Sequence, residues 1–482
     1  MPQITIDGQI FEAREGQTII DVALENGIEI PHFCWHPALT VAGNCRMCLV
    51  DVGMPRRTRE GQIEVDEHGN PVIAFLPKMQ IACATTVADG MHVLVNNRKV
   101  ESAQEAVMEF LLINHPLDCP ICDEAGQCKL QDYAFRHSKG ESRFQEEKVH
   151  KDKRVPLGPN VLFDGERCVS CSRCIRFASE VAEQPVLSFV QRGDHVTIET
   201  FPGQEFDSPY SMNVIDICPV GALTSSDFRF RARVWDMSFN DSVCTGCSRG
   251  CNTKAGVRYN EVLRLEPRTN MNVNEYWMCD YGRLTQYPFV NNSRIDRPMI
   301  RTAGGSLTEV NWEQAVKAAA DLLQGIRPEE IMVIGSARAT NEDNYLLVKF
   351  AKNVLKTNNI DFIRHEDPSF ADDLLRRSDM TPNTAGALAV GVAPGSSSVS
   401  IKNLVDAINS GKIKALYIME DDLASLATDA VAVLGKLKAL IVHASNHTAT
   451  TEHAHIVFSA ATYAELEGTY TNFQKRVQHV SP

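Results

Sequence analysis

The chain has 482 residues, a length of about three ordinary domains, with 44% apolar and 23% charged residues. That balance excludes a fibre or a wholly disordered chain and leaves enough apolar surface for several cores without disulfide staples. The formal charge of −13 disfavours a nucleic-acid partner, and no apolar run approaches the roughly 20 residues of a membrane span. At the N-terminus a strand pattern begins at the third residue, with no signal or transit peptide in front of it. Ile4, Ile6 and Ile10 flank an Asp7-Gly8 turn and predict a hairpin. Thr18 is placed to cap a helix carrying Ile19, Ile20, Val22, Ala23 and Leu24, which Gly27 ends.

Fifteen cysteines follow, none of them in the last 203 residues. An odd number in a long chain without a secretion signal argues against a disulfide framework and for metal ligands in a reducing compartment. They fall into groups of four, three, four and four, and His115 lies four residues ahead of the first cysteine in the group of three. Counting it gives sixteen ligands in four complete sets.

The first set is Cys34, Cys45, Cys48 and Cys83. Three ligands in a loop and a fourth far along is a [2Fe–2S] ferredoxin pattern, although the spacing differs from the plant type. A glycine-containing loop around Cys45 and Cys48 can turn backbone N–H groups toward anionic sulfur. The second set is His115, Cys119, Cys122 and Cys128, after a predicted helix over 103–113 that Pro116 breaks. An imidazole in place of one thiolate makes a [4Fe–4S] cluster less negative and raises its potential. The third set opens as Cys168, Cys171 and Cys174, the start of the bacterial C-x2-C-x2-C-x3-C-P run. The fourth cysteine of that run is replaced by Ala178. A second run survives only as Cys218-Pro219, with Ser208, Ser211 and Val214 where its first three cysteines belong. This is a two-cluster ferredoxin module that has lost one cluster: all four thiolates of the absent one are gone and all four of the other remain. A zinc ribbon does not account for so matched a loss. The fourth set is Cys244, Cys247, Cys251 and Cys279, three from one tight loop and one returning from an aromatic-rich segment. Zinc is the alternative at the first, second and fourth sets.

The charged stretch 136–154 reads as a solvated connection, and 287–301 as a link. Beyond it the pattern turns α/β. A helix is predicted over 312–323, a buried strand over 330–336, and a helix over 341–356 with Asn341 as its cap. Further strands fall over 414–420 and 438–444, and 383–400 reads as a small-residue loop. Strands alternating with helices imply a parallel sheet covered on both faces. No dinucleotide or phosphate-loop motif is present. Arg46, Lys129, Arg173 and Arg176 stand beside ligands, where they either offset cluster charge or are ordinary surface cations. Trp35 and Trp277 either shield clusters from water or simply pack.

The ordered series of ligand sets, with HPLDCPICDEAGQC, CVSCSRCIRF and the returning CPVGALT, resembles the large iron–sulfur subunit of respiratory complex I, which is the G subunit of bacterial NADH:quinone oxidoreductase and the 75 kDa subunit in mitochondria. Residues 232 onward resemble its molybdopterin-oxidoreductase-like part, and AELEGTYTNFQKRVQ (464–478) resembles a motif there. Bacterial members carry a longer C-terminal region. The resemblance implies an α+β multidomain chain. Residues 1–97 would be a β-grasp [2Fe–2S] ferredoxin domain, 98–150 the [4Fe–4S] domain with one histidine and three cysteine ligands, and 155–230 the degenerate ferredoxin module. Residues 231–288 would hold the fourth cluster, and 300–482 would form a short α/β molybdopterin-oxidoreductase-like domain. It implies one [2Fe–2S] and three [4Fe–4S] clusters, with the fourth set off the main electron line, and no molybdopterin, flavin or NAD on this chain. The implied partners are the flavin-containing NADH-oxidising subunits and the quinone-side peripheral subunits, with no nucleic acid and no membrane span. The implied place is the cytoplasmic face of the bacterial inner membrane. The role is relay of single electrons, without a substrate site of the chain's own. An electron-transfer subunit of an NAD-linked hydrogenase or formate dehydrogenase is the alternative. A molybdenum oxidoreductase or an iron-only hydrogenase would need further ligands after Cys279, and no cysteine follows it.

The ligand count predicts about 14 iron atoms per chain, from one two-iron and three four-iron clusters, with matching acid-labile sulfide and negligible zinc. Metal and sulfide analysis of anaerobically purified protein checks it.

Overall fold

Asp7 (φ 45°) and Gly8 (φ 85°) both adopt left-handed backbone, as a two-residue type I′ turn requires. They join the strands Gln3–Ile6 and Gln9–Glu12, with Ile6 opposite Gln9. The computed structural model of the chain describes residues 1–426 and 428–482, all but the 428 side chain. Met91–Leu94 lies parallel to the first strand and antiparallel to Leu49–Pro55. Ile73–Phe75 and Gln80–Ile81 extend the last of these into a six-stranded mixed sheet. The helix Ile19–Glu25 supplies Ile19, Ile20, Val22 and Ala23 to the core under that sheet, against Ile4, Ile6, Val50 and Val93. Both the amide and the hydroxyl of Thr18 donate to Asp21 at its start, 2.9 and 2.6 Å away, and Gly27 (φ 74°) ends it. This is the expected grasp of one helix by a mixed sheet, and its core runs out to Cys48 and Cys83.

The next helix spans Arg98–Leu112 rather than starting at 103, because the Asn97 side chain accepts from the Val100 amide and caps an earlier start. The stretch 136–154 is more than a solvated connection. Lys148 donates to the carbonyls of Leu112 and Ile113 (3.0 and 2.6 Å), filling acceptors that a helix end leaves open. Lys153 pairs with Asp118 and Glu166 at 2.6 and 2.8 Å. Beyond it come the helix Arg173–Glu180, the hairpin Leu187–Val190 with Thr197–Thr200, and the short helix Asn213–Asp216. A three-stranded antiparallel sheet of Val155–Pro156, Val161–Phe163 and Leu223–Ser225 closes this part. Chain contacts divide the molecule into two units, Met1–Asp236 and Met237–Pro482.

The second unit opens with an antiparallel sheet of Ser238–Val243, Asn252–Arg258 and Glu261–Pro267. Its main element is a seven-stranded sheet. Five strands run parallel: Ile360–Phe362, Ile331–Gly335, Ala415–Met419, Ala439–Ala444 and Ile456–Ser459. The expected α/β pattern is present, with the helices Trp312–Leu323 and Asn341–Asn353 where it put them. Three details differ. Thr340, not Asn341, caps the second helix by accepting from the Asp343 amide. The small-residue stretch 383–400 contains a helix, Thr384–Ala389, which Gly386 permits by packing against Asn341 and Asn383, where a Cβ would come 1.9 and 2.1 Å from their Oδ1 atoms. The 287–301 link contains the strand Met299–Arg301, which pairs antiparallel with Leu307–Glu309 and Ile456–Ser459. Among the described residues, no helix is long and apolar enough to cross a membrane.

Candidate iron–sulfur cluster sites

Cys34, Cys45, Cys48 and Cys83 converge in the first unit. The Cys34 thiol is within hydrogen-bond reach of Cys45 and Cys83, and Cys48 of Cys83. Shared hydrogen bonds split their acidities, pulling Cys34 and Cys48 down and pushing Cys45 and Cys83 up. Four thiols this close, with three of them buried, carry more negative charge on ionisation than an apolar pocket tolerates without a cationic core.

At the second set, Cys122 and Cys128 are buried while Cys119 is exposed. Burial pushes the Cys128 thiol up to about 12. Burial, with help from the Arg167 and Lys148 charges, lowers His115 to about 4, so its imidazole is neutral, the form that ligates metal. Gly221 presses on the set from the third module: a Cβ there would come 2.2 Å from the Cys122 sulfur.

Cys168, Cys171, Cys174 and Cys218 line one cavity with Phe163, Ile198 and Val220. The Ser170 amide donates to the Cys168 sulfur at 3.3 Å, from a loop in which Ser170 and Ser172 take left-handed φ values of 49° and 63°. Burial raises all four thiols. At the positions of the lost cluster, Ala178, Ser208, Ser211 and Val214 are all buried, and the helices that carry Ala178 and Val214 pack together. Small or apolar side chains occupy the interior at these four positions.

In the second unit, Cys244, Cys247, Cys251 and Cys279 line another cavity, closed by Met278, Tyr281, Phe370 and Leu375. Cys279 stands at the N-terminus of the helix Asp280–Thr285, and the Gly282 amide donates to its sulfur at 3.4 Å. Burial pushes Cys279 up to about 12 and raises Cys244, Cys247 and Cys251 as well. The 464–478 segment braces the loop from behind. Gln478 donates to the Gly250 carbonyl (2.8 Å), Asn472 to that of Arg249 (3.2 Å), and the Phe473 amide to that of Ser248 (2.9 Å). A Cβ on Gly282 would lie 2.8 Å from the Cys244 sulfur and 3.6 Å from that of Cys279. Buried thiols and amide donors aimed at sulfur at the third and fourth sets, with a glycine against sulfur at the fourth, fit a compact anionic cluster. Among the described residues, no three His, Cys, Asp or Glu side chains are placed as a single metal ion needs.

The flanking cations divide. Arg46 is exposed. Arg173 is buried and donates to the carbonyls of Ile217 (3.0 Å) and Trp35 (2.5 Å), so it ties the first set to the third. Arg176 donates to the carbonyls of Cys34 and Thr40 and does the same. Lys129 donates to His32 Nε2 at 3.4 Å, and burial lowers it to about 8. His32, a residue the spacing passes over, keeps its other ring nitrogen on the Ile30 carbonyl at 2.8 Å. Trp277 is buried, and Trp35 packs partly buried on the first core. The spacing passes over Gly221 and Gly282 too; a glycine three residues after a ligand cysteine is the signal that points to them.

At the carboxyl ends of the parallel strands lies a cavity of about 570 Å³, where open α/β sheets bind ligands. Asp343, Glu420, Asp421, Asp422 and Glu467 line it, with Arg338 and no cysteine. Burial pushes Glu420 up to about 8.

Comparison with known proteins places these sites in a family. Residues 2–70 match the 2Fe-2S iron-sulfur cluster binding domain, and 104–143 the NADH-ubiquinone oxidoreductase-G iron-sulfur binding region. Residues 158–224 match the ferredoxin-like domain of NADH-quinone oxidoreductase subunit 3. The Fe4S4 domain of molybdopterin oxidoreductase matches 237–289, and molybdopterin oxidoreductase itself 294–373 and 378–482. The NADH-quinone oxidoreductase G subunit of Rickettsia conorii is 40% identical over 75% of this chain and 51% of its own. That of Streptomyces coelicolor is 41% identical over 74% and 40%. The NADH-ubiquinone oxidoreductase 75 kDa subunit of Reclinomonas americana is 37% identical over 80% and 53%. A solved NAD+-reducing [NiFe]-hydrogenase chain is only loosely similar, 25% identical with a TM-score of 0.39, over 48% of this chain and 91% of its own. The protein is thus an iron–sulfur protein with 2Fe-2S and 4Fe-4S domains. Over the matched part it is similar to the G subunits of NADH-quinone oxidoreductase, and it spans about half the length of the curated relatives it matches.

Gly282→Ala is expected to remove about four iron atoms per chain and the EPR signal of the fourth set alone, because the added methyl takes the space beside the Cys244 sulfur. Iron analysis and EPR of the variant check it.

Proposed function

We propose that the chain is an electron-relay subunit of NADH:quinone oxidoreductase, carrying single electrons from flavin-containing NADH-oxidising subunits toward the quinone side. In this reading it holds one [2Fe–2S] cluster on Cys34, Cys45, Cys48 and Cys83, and three [4Fe–4S] clusters. Their ligands are His115, Cys119, Cys122 and Cys128; Cys168, Cys171, Cys174 and Cys218; and Cys244, Cys247, Cys251 and Cys279. When bound, such a cluster takes up and returns one electron with little change of shape. The chain's own work is to hold the sulfur ligands, exclude water and set the local charge. It binds no molybdopterin, flavin or NAD itself, and it sits peripherally on the cytoplasmic face of the bacterial inner membrane.

The observation that carries this reading is the way three ligand sets of the first unit are joined. Arg173 and Arg176 bond the backbone at Cys34 and Trp35 on one side and at Ile217 and Cys171 on the other. Residues 219 and 221, just after Cys218, then touch the second set: the Pro219 carbonyl accepts from the Lys129 amide at 3.1 Å, and Gly221 lies against Cys122. The third set therefore adjoins both the first and the second through these contacts. A relay needs neighbouring centres in a water-poor interior, and a scaffold of independent structural metals does not.

Purification of the tagged chain from its native cell is expected to bring down a flavin subunit and membrane subunits; a nickel-containing partner instead would overturn the assignment. His115→Cys is expected to lower the midpoint potential of the second-set centre, since an anionic thiolate replaces a neutral imidazole. EPR-monitored redox titration reads it, and an unchanged midpoint removes His115 from the ligands.

A further inference from the structure

Arg167 immediately precedes Cys168, so its place in the chain assigns it to the third set. Its side chain goes elsewhere. It is only 4% exposed, and Nε and Nη2 donate to Asp118 Oδ2 at 3.2 and 3.0 Å. Asp118 is the neighbour of Cys119. Nε also lies 3.3 Å from Asp164 Oδ2. Nη1 is buried and has no hydrogen-bond partner, an arrangement that costs free energy unless an anion is met there. The second set is what its charge reaches. Asp118, which holds it, stands in the chain between His115 and Cys119, and the positive charge of Arg167 favours the neutral His115 imidazole and the Cys122 thiolate. On Cys168, Cys174 and Cys218 the main influences are burial and neighbouring thiols instead. Lys153, which also bonds Asp118, belongs to the same network.

We propose that Arg167 is a positioning and charge-setting residue of the second, His115-containing centre, held against it by Asp118 and Asp164, and not of the third set that follows it in sequence. The inference rests on the reading of His115, Cys119, Cys122 and Cys128 as cluster ligands. A fixed positive charge beside a centre that gains an electron stabilises the reduced form. The two carboxylates hold the Nε and Nη2 edge of the guanidinium and fix its plane, and Nη1 is left as a buried donor.

The test is an EPR-monitored redox titration of the full chain, with iron content measured for each variant. Arg167→Gln is expected to make the second-set centre harder to reduce by about tenfold in its reduction equilibrium, about 59 mV for one electron, and to move the third-set centre less. Arg167→Lys is expected to retain most of the wild-type midpoint, and Asp118→Asn to shift the same centre the opposite way. A second-set midpoint unmoved by Arg167→Gln, a larger shift at the third set, or Lys falling as far as Gln overturns the proposal. If the Gln variant loses the centre, the other two decide, and an unmoved midpoint in Asp118→Asn overturns it. A wild-type spectrum without a second-set signal overturns the ligand reading itself.

Discussion

Buried negative sulfur is the constraint on which the rest of the structure depends. Most of the candidate cysteine ligands are buried, where a lone thiolate is costly, and burial alone drives most of these thiols toward the neutral form. Only a cationic core, or cations and amide donors fixed around the sulfur, makes such interiors stable. Features far apart in the chain answer that one demand. The Gly282 and Ser170 amides point at sulfur, Gly221 and Gly282 leave room beside it, and Arg167 and Arg173 are buried near it.

The same groups join the sites to one another. Arg173 leaves the third-set helix and ends on the backbone of Ile217 and Trp35, so one buried guanidinium belongs to two sets. The Cys218 segment ends one set and walls the next. A buried cation thus also fixes how the segments of two sets are held together. In the second unit, Asn472, Phe473 and Gln478 brace the loop of the fourth set. The α/β region there supports a ligand loop.

Much of this was legible beforehand, for identifiable reasons. Hairpin, helix and strand positions were readable where a single local rule decides them, as at Asp7-Gly8 and Trp312–Leu323. Reading failed where a partner distant in sequence decides. The helix Thr384–Ala389 forms in a stretch whose composition suggests a loop, because Gly386 fits against Asn341 and Asn383. The 136–154 stretch looks solvated by composition, yet Lys148 and Lys153 find acceptors that no local pattern announces.

By itself the sequence determined the kind of chemistry and the grouping of the ligands. Cysteine spacing is a property of short loops, and the paired loss at Ala178, Ser208, Ser211 and Val214 can be counted along the chain. Only the tertiary structure decided which sets adjoin, with the third touching both the first and the second, and which carboxylates hold which cation. Charge acts through space. A residue that follows one ligand set or precedes another in the chain, as Arg167 does, exerts its field wherever its side chain and its carboxylate partners hold it.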